Sequence, residues 1–577
     1  MKKLMTFLKD YKKESVLAPL FKMLEASFEL LVPLVVLRIV DIGIVAGDHS
    51  YVFRMCLVMI LLGIIGLISS ITAQYFSAKA AVGFATKLRH TLFSHIQKLS
   101  YSQMDICGTS TLITRMTSDV NQTQNGVNMV LRLFLRSPFI VLGAMVMAFT
   151  IDVQAALVFV VVIPLLSIIV FGIMLLSIPL YKKVQAGLDQ VLGITRGNLT
   201  GVRVLRAFHK EEEEVAAFQE SNENLTAMQM FVGRISAIMN PVTYIVINGG
   251  LIALLWIGAI QVDTGILTQG AVLALVNYMS QILVELVKLA NLIITVNKSL
   301  ACANRIEGIL SLKPDMESAN GITEIRVDTV VEFDHVSLTY PGSGAESLTD
   351  INFSVSRGQT VGIIGGTGSG KSSIVNLIPR FYEATRGCVN VDGIPVNEYA
   401  LKDLRDKIGM VPQKATLFKG TIKENMLMGK SDATEEELRK ALEISQSAEF
   451  VDQKPEGMNT LVSQGGKNLS GGQKQRLTIA RALVKQPEIL ILDDSASALD
   501  YATDLKLRRA IGSMEQPPVV FIVSQRASSV LSADLILVLD DGEVAGVGTH
   551  DQLLASCEIY QDIYYSQYPS QRKEVQA

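Results

Sequence analysis

A glycine-rich stretch in the second half of the sequence has the residue types needed to hold phosphate groups. In TVGIIGGTGSGKSSIVNLI (360–378), Gly365, Gly370, Lys371 and Ser372 satisfy the pattern G-x-x-x-x-G-K-[ST] between a predicted strand and a predicted helix. Such glycines let backbone N–H groups close around phosphates, the lysine supplies charge to the terminal phosphates, and the serine hydroxyl can ligate Mg²⁺. The predicted phosphate-binding residues are Gly365, Gly366, Thr367, Gly368, Ser369, Gly370, Lys371, Ser372 and Ser373.

Two adjacent carboxylates supply the second half of this predicted site. The apolar run EILILDD (488–494) is typical of a buried parallel strand, and Asp493 stands at its carboxyl end. That place suits a Mg²⁺ ligand, and the neighbouring Asp494 is placed to serve as a catalytic base. Together with the glycine loop, these residues predict a site for a nucleoside triphosphate and Mg²⁺.

A further anion-binding element lies between these two segments. In NLSGGQKQRLTIARAL (468–483), Ser470, Gly471 and Gly472 open a helix rich in Gln, Lys and Arg, and the N-terminus of such a helix attracts anions. An ordinary capped helix explains Ser470 but not the Gly-Gly-Gln that follows. One nucleotide does not need two such cradles from the same chain.

The part of the sequence before this predicted site differs from it in composition. The chain has 577 residues and a net charge of −3, so several domains are expected and nothing points to nucleic acid. Its positive mean hydropathy is concentrated before about residue 300. Six apolar stretches there are long enough to cross a bilayer, which takes about 20 residues. They lie at 16–44, 52–80, 134–152, 155–181, 237–262 and 268–296.

The distribution of Lys and Arg predicts how these spans are oriented. Basic residues occupy the N-terminal arm and the long segments between spans two and three and between spans four and five. The short connections after spans one, three and five (46–50, 151–154 and 263–269) hold no Lys or Arg. Since positive charge favours the cytoplasmic side, both termini and both long segments are predicted to be cytoplasmic. The five cysteines form no close pair, which fits a reducing compartment.

The sequence LSGGQ, placed between a phosphate-binding loop and an aspartate-ended strand, resembles the ATP-binding cassette (ABC) family. Six spans fused before the cassette resemble a half-transporter of the multidrug and lipid exporter type, and the resemblance covers nearly the whole chain. It implies an all-α membrane domain with six transmembrane helices and long cytoplasmic extensions, fused to a cytosolic α/β P-loop ATPase domain with a helical subdomain. The predicted boundaries are 1–310 for the membrane domain, 311–328 for a linker, 329–565 for the cassette and 566–577 for a C-terminal tail.

The resemblance also assigns roles to residues outside the glycine loop. Tyr340 in SLTYPG matches the aromatic that stacks on adenine, and Gln413 in MVPQKATLF matches the glutamine that contacts Mg²⁺ and senses the membrane domain. Asp500 in SALD matches a loop that crosses to a second cassette. In the family, each ATP lies between the glycine loop of one cassette and the LSGGQ of the other, which accounts for the second cradle: Ser470, Gly471, Gly472 and Gln473. The implied magnesium ligands are Ser372, Gln413 and Asp493, and the implied cofactors are ATP and Mg²⁺.

Two positions depart from the family pattern. The family has Glu after the strand aspartate and His in the switch strand, whereas this chain has Asp494 and, in VVFIVSQRASSV (519–530), Gln525. The aspartate carboxylate reaches about 1.5 Å less far, and a misplacement of about 1 Å can cost about 100-fold in rate. Gln525 can donate a hydrogen bond but cannot carry a positive charge. A smaller departure is Gln464, where exporters often carry Glu.

These departures predict one subunit of a heterodimeric exporter in the plasma (bacterial inner) membrane. Its own site is expected to bind ATP and hydrolyse it poorly. Its LSGGQ is expected to complete the competent site of a partner half-transporter that carries the Glu and the His and whose own signature is altered. The expected substrate is an amphipathic small molecule, either a drug or a lipid. The alternatives are a homodimer with two slow sites, an ATP-gated channel, and a regulator that binds ATP and moves nothing.

Two further features concern coupling and the substrate path. Segments 102–120 and 197–218 resemble the family's intracellular loops, each expected to hold a short helix that docks on a cassette. Span one carries a short polar stripe, and span six a longer one that covers an arc of about 120°. Both stripes could line a substrate cavity or form internal pairs that seal helix against helix. They comprise Lys22, Glu25 and Glu29 in span one, and Asn277, Gln281, Glu285, Lys288, Asn291 and Thr295 in span six.

Overall fold

The computed structural model of the chain describes residues 4–316, 328–569 and 571. It divides into two compact units. The first comprises residues 1–97 and 110–313, and the second comprises 98–109 and 314–577. The short segment 98–109, which lies within the predicted membrane domain, therefore groups with the second unit. Most of the predicted linker, 317–327, lies outside the described residues.

Long helices make up the first unit, with short π-helical turns at Ile39–Ile44 and Arg115–Asp119. Up to residue 311 the α-helices are, in chain order, α1 (Lys12–Arg38), α2 (His49–Ile96), α3 (Tyr101–Cys107), α4 (Thr109–Thr114), α5 (Val120–Leu133), α6 (Arg136–Ile151), α7 (Val153–Ala207), α8 (Glu211–Asp263) and α9 (Gln269–Ser311).

Five helical segments of the described chain are long and apolar enough to cross a membrane. They include the predicted spans two to six, and several extend far beyond them. The predicted first span is helical in α1, but Lys22, Glu25 and Glu29 interrupt its apolar sequence, so the count of six spans is not confirmed. The five segments are His49–Ile96, Thr109–Ile151, Val153–Ala207, Glu211–Asp263 and Gln269–Ser311.

The three short connections without Lys or Arg each supply a helix cap. Asp48 accepts a hydrogen bond from the Tyr51 amide at the start of α2 (3.0 Å). Asp152 does the same for α7, and the Thr268 hydroxyl for α9. Such caps satisfy amides that the first helical turn leaves without partners. The chain therefore ends one helix and begins the next within a few residues.

One further contact joins the ends of α1 and α9. Asp41, in the π-helical turn after α1, accepts a hydrogen bond from the amide of Gly270 at 2.8 Å and another from the Thr268 hydroxyl. A Cβ on Gly270 would lie 2.5 Å from the Leu37 carbonyl oxygen, so the backbones meet closely at this point. A carboxylate at the N-terminus of α9 also suits the helix dipole.

The second unit is an α/β domain with two principal sheets. A six-stranded sheet has the order β12-β11-β3-β10-β9-β6, and a four-stranded antiparallel sheet has the order β2-β1-β4-β5. The strands are β1 (Thr329–Leu338), β2 (Leu348–Ser356), β3 (Thr360–Gly365), β4 (Arg386–Val391), β5 (Ile394–Pro395), β6 (Ile408–Val411), β7 (Gly420–Thr421), β8 (Leu461–Val462), β9 (Ile489–Asp493), β10 (Val519–Val523), β11 (Leu535–Asp540) and β12 (Glu543–Gly548).

Helices flank these sheets and form a separate helical region between β6 and β9. The last helix ends two residues beyond the predicted cassette boundary at 565. The helices are α10 (Lys371–Leu377), α11 (Leu401–Lys407), α12 (Ile422–Leu427), α13 (Glu435–Ile444), α14 (Ala448–Asp452), α15 (Gly471–Leu483), α16 (Tyr501–Gly512), α17 (His550–Ser556) and α18 (Glu558–Gln567).

The parallel part of the large sheet sets the position of the candidate site. Strands β6, β9, β10, β3 and β11 run parallel, and every residue of β9 and β10 is buried. Their carboxyl ends therefore lie at one edge, where loops can hold a ligand. Gly365, Asp493 and the residues after Val523 and Val411 are all found at this edge.

Candidate nucleotide-binding site

The glycine loop joins β3 to α10 with a backbone that other residues would not adopt easily. Gly368 and Gly370 have φ values of 89° and 90°, in the left-handed region where glycine is favoured. At Gly365 a Cβ would lie 2.2 Å from the Leu539 carbonyl oxygen. The loop is therefore fixed by close backbone packing before any ligand is considered.

Lys371 stands at the first position of α10 and directs its charge into this loop. Its ammonium donates hydrogen bonds to the carbonyls of Gly365 (3.0 Å) and Gly366. Burial lowers the pKa of Lys371, while Asp494 and Asp493 act in the opposite direction. The only positive charge lining this cleft in the described chain is thus concentrated where the loop amides converge, which is the electrostatic requirement for holding phosphates.

The two strongest candidates for a magnesium site lie side by side. The Ser372 hydroxyl donates a hydrogen bond to an oxygen of Asp493 at 3.0 Å. Burial raises the pKa of Asp493; Asp494 raises it further, whereas the bond from Ser372 and the charge of Lys371 lower it. A hydroxyl and a carboxylate oxygen fit Mg²⁺, which takes one or two protein oxygens and completes its shell with water and phosphate.

Asp494 has an unusual backbone and a short reach. Its φ is 45°, in the left-handed region that Asp and Asn tolerate better than most residues. Its amide donates to the Val523 carbonyl at 3.0 Å, and its carboxylate accepts a long 3.4 Å bond from the Gln413 amide. The carboxylate is therefore held by one long bond, and the predicted Mg²⁺ contact Gln413 lies against Asp494 rather than Asp493.

These residues line one cleft of about 510 Å³. Gln525 faces the same cleft from the loop after β10, with its side chain exposed. The structure thus brings together most of the predicted site: Tyr340, Thr367, Gly368, Gly370, Lys371, Ser372, Ser373, Gln413, Asp493, Asp494 and Gln525.

Tyr340 forms one wall of the cleft beyond the end of β1. Its hydroxyl donates to the Ser373 hydroxyl at 2.9 Å, and its ring meets Tyr382 edge to face at 4.9 Å between centroids. Burial raises the pKa of the Tyr340 hydroxyl, so it stays neutral. This position is compatible with stacking of adenine on the Tyr340 ring, and that stacking stays a prediction.

The LSGGQ segment stands apart from this cleft. Ser470, Gly471, Gly472 and Gln473 are not among the cleft's lining residues in the part of the chain that the structure describes. Ser470 and Gln473 form a reciprocal capping box at the start of α15, so capping accounts for Gln473 as well as Ser470. Gly471 is different, because a Cβ there would meet nothing within 4 Å. No packing in the described chain therefore requires glycine at that position.

Asp500 has a local role of its own. It caps α16 by accepting hydrogen bonds from the Thr503 amide (2.9 Å) and hydroxyl (2.8 Å). The bond from the backbone amide, followed by that from the hydroxyl, lowers the pKa of Asp500. Its predicted contact with a second cassette stays a prediction.

The first predicted intracellular loop contains a short helix that packs within the second unit. In α3 the Tyr101 ring stacks on Phe381 with centroids 4.6 Å apart, and Asp105 accepts a hydrogen bond from the Tyr382 hydroxyl at 2.6 Å. The second predicted loop has no separate short helix among its described residues, since α7 ends at Ala207 and α8 begins at Glu211.

The polar stripes of spans one and six contain ion pairs that join helices. Glu285 is 2 % exposed and accepts hydrogen bonds from Arg136 (2.7 Å), Ser137 (2.8 Å) and Lys288 (2.8 Å). Arg136 also pairs with Glu29 at 2.6 Å. These contacts link α1, α6 and α9, which favours the helix-sealing alternative over a cavity lining for Glu29 and Glu285.

Two residues were not predicted from the sequence: Arg136 in this ion-pair network, and Gln567, which contacts a loop beside the nucleotide cleft. Arg136 lies inside the predicted third span, where an arginine is itself a signal of function. Gln567 was assigned to the tail, yet its amide contacts the loop that carries Gln525. The spacing of Tyr560, Tyr564 and Tyr568 is the available signal, since an i, i+4 pattern indicates a buried helix face that continues past 565.

Comparison with known proteins gives matches along the chain. The profile of the ABC transporter transmembrane region matches residues 15–286, and that of the ABC transporter ATPase region matches 348–497. An uncharacterized ABC transporter ATP-binding protein of Bacillus subtilis is 35% identical over 574 residues and is covered over its full length.

Two relatives carry more specific names, and one solved structure shares the fold. A putative multidrug export ATP-binding/permease protein of Bacillus subtilis is 33% identical, covering 96% of this chain and 97% of the relative. An ATP-dependent lipid A-core flippase of Desulfotalea psychrophila is 32% identical, covering 83% and 84%. The structure of a bacterial Atm1-family ABC exporter with ATP bound superposes with a TM-score of 0.80 at 23% identity, covering 96% of this chain and 98% of that one.

Proposed function

We propose that this chain, which belongs to the ABC transporter family, forms one half of a heterodimer. It is an ATP-driven exporter with its ATPase domain fused to the membrane domain. In this proposal its own site binds MgATP and hydrolyses it poorly. The partner is a second half-transporter with Glu and His at the positions of Asp494 and Gln525, and it supplies most of the turnover.

The observation that carries this proposal is the composition of the cleft. The groups that hold phosphate and Mg²⁺ are complete in Lys371, Ser372 and Asp493. The two groups that act on the attacking water and the terminal phosphate are shortened in Asp494 and uncharged in Gln525. A site of this kind keeps most of the binding energy of ATP and loses transition-state stabilisation, which lowers kcat more than affinity.

The geometry of the signature supports the second half of the proposal. Ser470–Gln473 lie outside the cleft that holds Lys371, and the open space at Gly471 leaves room for a phosphate brought by another cassette. The N-terminus of α15, with thirteen residues behind it, then provides a positive dipole for that phosphate. The signature of this chain would thereby complete the partner's competent site.

The proposed substrate is an amphipathic small molecule, either a drug or a lipid, moved outward across the plasma membrane. The names of the multidrug-export and lipid A-core relatives support both classes. The proposed orientation, with both termini cytoplasmic, rests on the distribution of Lys and Arg. Mg²⁺, when bound, would neutralise charge on the β- and γ-phosphates beside Ser372 and Asp493.

A nucleotide-retention experiment tests the proposal directly. The purified full-length chain is incubated with MgATP, freed of unbound nucleotide, and its bound nucleotide is identified by chromatography. We expect mainly ATP and little phosphate release, and Lys371→Ala should abolish retention. Rapid conversion to ADP by the chain alone would favour the homodimer.

Two further measurements separate the remaining alternatives. Single-channel conductance in a bilayer would indicate an ATP-gated channel. Transport by the co-expressed pair in vesicles, together with the absence of such conductance, would exclude both the channel and a regulator that moves nothing.

A further inference from the structure

The loop that carries Gln525 is held by the last helix of the chain. Strand β10 ends at Val523, and the next residues leave the sheet. The Gln567 carboxamide in α18 donates from Nε2 to the Gln525 carbonyl oxygen at 2.8 Å and accepts at Oε1 from the Ala527 amide at 2.8 Å. One side-chain amide thus pairs with two backbone groups, as a peptide group of a neighbouring parallel strand would.

Of the two backbone groups, the Ala527 amide depends more on this partner, because Ala527 is buried whereas Gln525 is exposed. Ala527 is fully buried, and a buried amide without a hydrogen bond is costly. The preceding part of the loop is held separately, since the Ser524 amide donates to the Ile363 carbonyl at 3.0 Å and the Ser524 hydroxyl accepts from the Arg526 amide at 3.0 Å. Gln567 therefore fixes the half of the loop on the side away from β3.

The helix that presents Gln567 is itself firmly anchored. Tyr560 is fully buried and Tyr564 is 6% exposed. The Tyr560 hydroxyl lies 2.8 Å from a ring nitrogen of His550, and the Tyr564 ring packs 4.9 Å from that of Tyr568. Because these rings fix α18 just before and after Gln567, the carboxamide is presented at a defined place with little loss of backbone freedom.

Gln525 is the only residue of this loop beyond Ser524 that lines the nucleotide cleft in the described chain. Its backbone carbonyl is bound by Gln567, while its side chain faces the cleft on the side of Asp493 and Asp494. The position of that side chain therefore depends on a bond made 42 residues later in the sequence.

From these contacts we propose that Gln567 is a positioning residue for the loop after β10, residues 524–527, which we call the switch loop. By fixing the backbone of Gln525 and Ala527, Gln567 sets how well this chain's site distinguishes ATP from ADP. The proposal rests on the binding of ATP at this site. Gln567 does not touch the nucleotide; it acts through the Gln525 side chain, which contacts the terminal phosphate that ADP lacks. The end of α18 thereby acts on the nucleotide site through the switch loop.

The test measures equilibrium affinities of the purified full-length chain for MgATP and MgADP by competition against a fluorescent nucleotide. Gln567→Ala should lower the ratio of ATP affinity to ADP affinity about fivefold, the effect of about one hydrogen bond. Gln567→Glu keeps the acceptor for the Ala527 amide but places a carboxylate oxygen against the Gln525 carbonyl, so it should lower the ratio at least as much. Gln567 lies at the surface, so neither change opens a cavity.

The matched control is Gln561→Ala on the same helix. The Gln561 amide donates to the Leu554 carbonyl at 2.8 Å, and within the described part of the chain its side chain forms no hydrogen bond with the switch loop. This variant removes the same kind of bond and should leave the ATP to ADP ratio unchanged. A double-variant cycle supplies the readout that a structural role would not move: in the background of Gln525→Ala, the change Gln567→Ala should have no further effect on the ratio.

Three results would overturn the proposal while leaving ATP binding intact. They are an equal loss of ATP and ADP affinity in Gln567→Ala, an unchanged ratio in Gln525→Ala alone, or a full effect of Gln567→Ala in the Gln525→Ala background. A wild-type chain that binds no MgATP would instead contradict the proposed function itself. The two failures are therefore distinguishable.

Discussion

Asp493 carries an electrostatic cost in the absence of a metal. It is 5% exposed, and burial with the nearby Asp494 raises its pKa despite the bond from Ser372. A carboxyl whose pKa is raised in the folded state destabilises that state once the pH exceeds the ordinary carboxyl pKa, because the unfolded chain ionises more readily. In the proposed function, the ionised carboxylate of Asp493 would supply the oxygen ligand that Mg²⁺ prefers.

We expect Asp493→Asn to stabilise the nucleotide-free chain at neutral pH and to remove the further stabilisation by MgATP. Asn keeps an acceptor for the Ser372 hydroxyl but has no charge to desolvate. Thermal unfolding with and without MgATP, across pH, measures both effects. The stability advantage should vanish at acidic pH, where wild-type Asp493 is protonated in both states.

The control for this experiment is Asp540→Asn, at the exposed end of β11, which lies in the same sheet and is separated from β9 by β3 and β10. It removes one carboxylate from the same sheet but not from the cleft, so the response to MgATP should persist. A wild-type level of MgATP stabilisation in Asp493→Asn would contradict the assignment of Asp493 as a magnesium ligand.

Local sequence patterns were sufficient to predict residues that the structure brings to one cleft. The glycine loop and the strand ending in Asp493 are each local patterns, and they lie near each other because β3 and β9 both pair in parallel with β10. Gln567 and Arg136 were not predicted, because their hydrogen-bond partners lie far away in sequence. Gln567 is 40 residues from Ala527, whose amide it binds, and Arg136 is 149 residues from Glu285, whose carboxylate it binds. Nothing in a local pattern specifies such pairs.

At the scale of elements, the buried ion pairs among α1, α6 and α9 fix how three helices meet. Arg136 is 7% exposed and Glu285 is 2% exposed, whereas Glu29 keeps 40% of its side chain accessible. Removing one member of a buried pair leaves an uncompensated charge, which is more costly than removing the pair. The cluster therefore holds the three helices together only while it is intact.

We expect Arg136→Met to destabilise the membrane unit by about 3–5 kcal/mol, because it removes the arginine that pairs with the buried Glu285 and with Glu29. The double variant Arg136→Met with Glu285→Met should recover part of the loss, since Glu29 can reach solvent and Lys288 is 43% exposed. The unfolding midpoint in detergent is the measurement. The matched control is Lys210→Met in the exposed Lys210–Glu213 pair, which should change stability by about 0.5 kcal/mol or less.

A double variant less stable than Arg136→Met would show that the charges are not what links these helices.

The same cluster explains why the span count could not be read from apolarity alone. The charges that pair in the fold are the ones that lower the hydropathy of α1, so the helix is present although its sequence does not meet the criterion for a span.

For the whole molecule, the proposed heterodimer would have two unequal ATP sites. Asp494 combines a short side chain with a φ of 45°. Replacing it with Glu restores reach but places a longer side chain on a left-handed backbone, which costs some stability. In the proposed heterodimer, hydrolysis at this site would also depend on the signature of the partner chain.

We therefore expect Asp494→Glu combined with Gln525→His to raise the ATPase rate of the co-expressed pair only modestly, well below a doubling. The measurement is Mg²⁺-dependent phosphate release, compared with the pair that carries only Asp494→Glu. If the double variant instead adds the activity of a complete second site, the proposed asymmetry is wrong.

Asp41 has a consequence for how the membrane helices can rearrange. Its carboxylate is shared between the end of α1 and the beginning of α9, at backbones so close that Gly270 admits no side chain. Any separation of α1 from α9 at this end would have to break both hydrogen bonds to Asp41, so these contacts oppose independent movement of the two helices here.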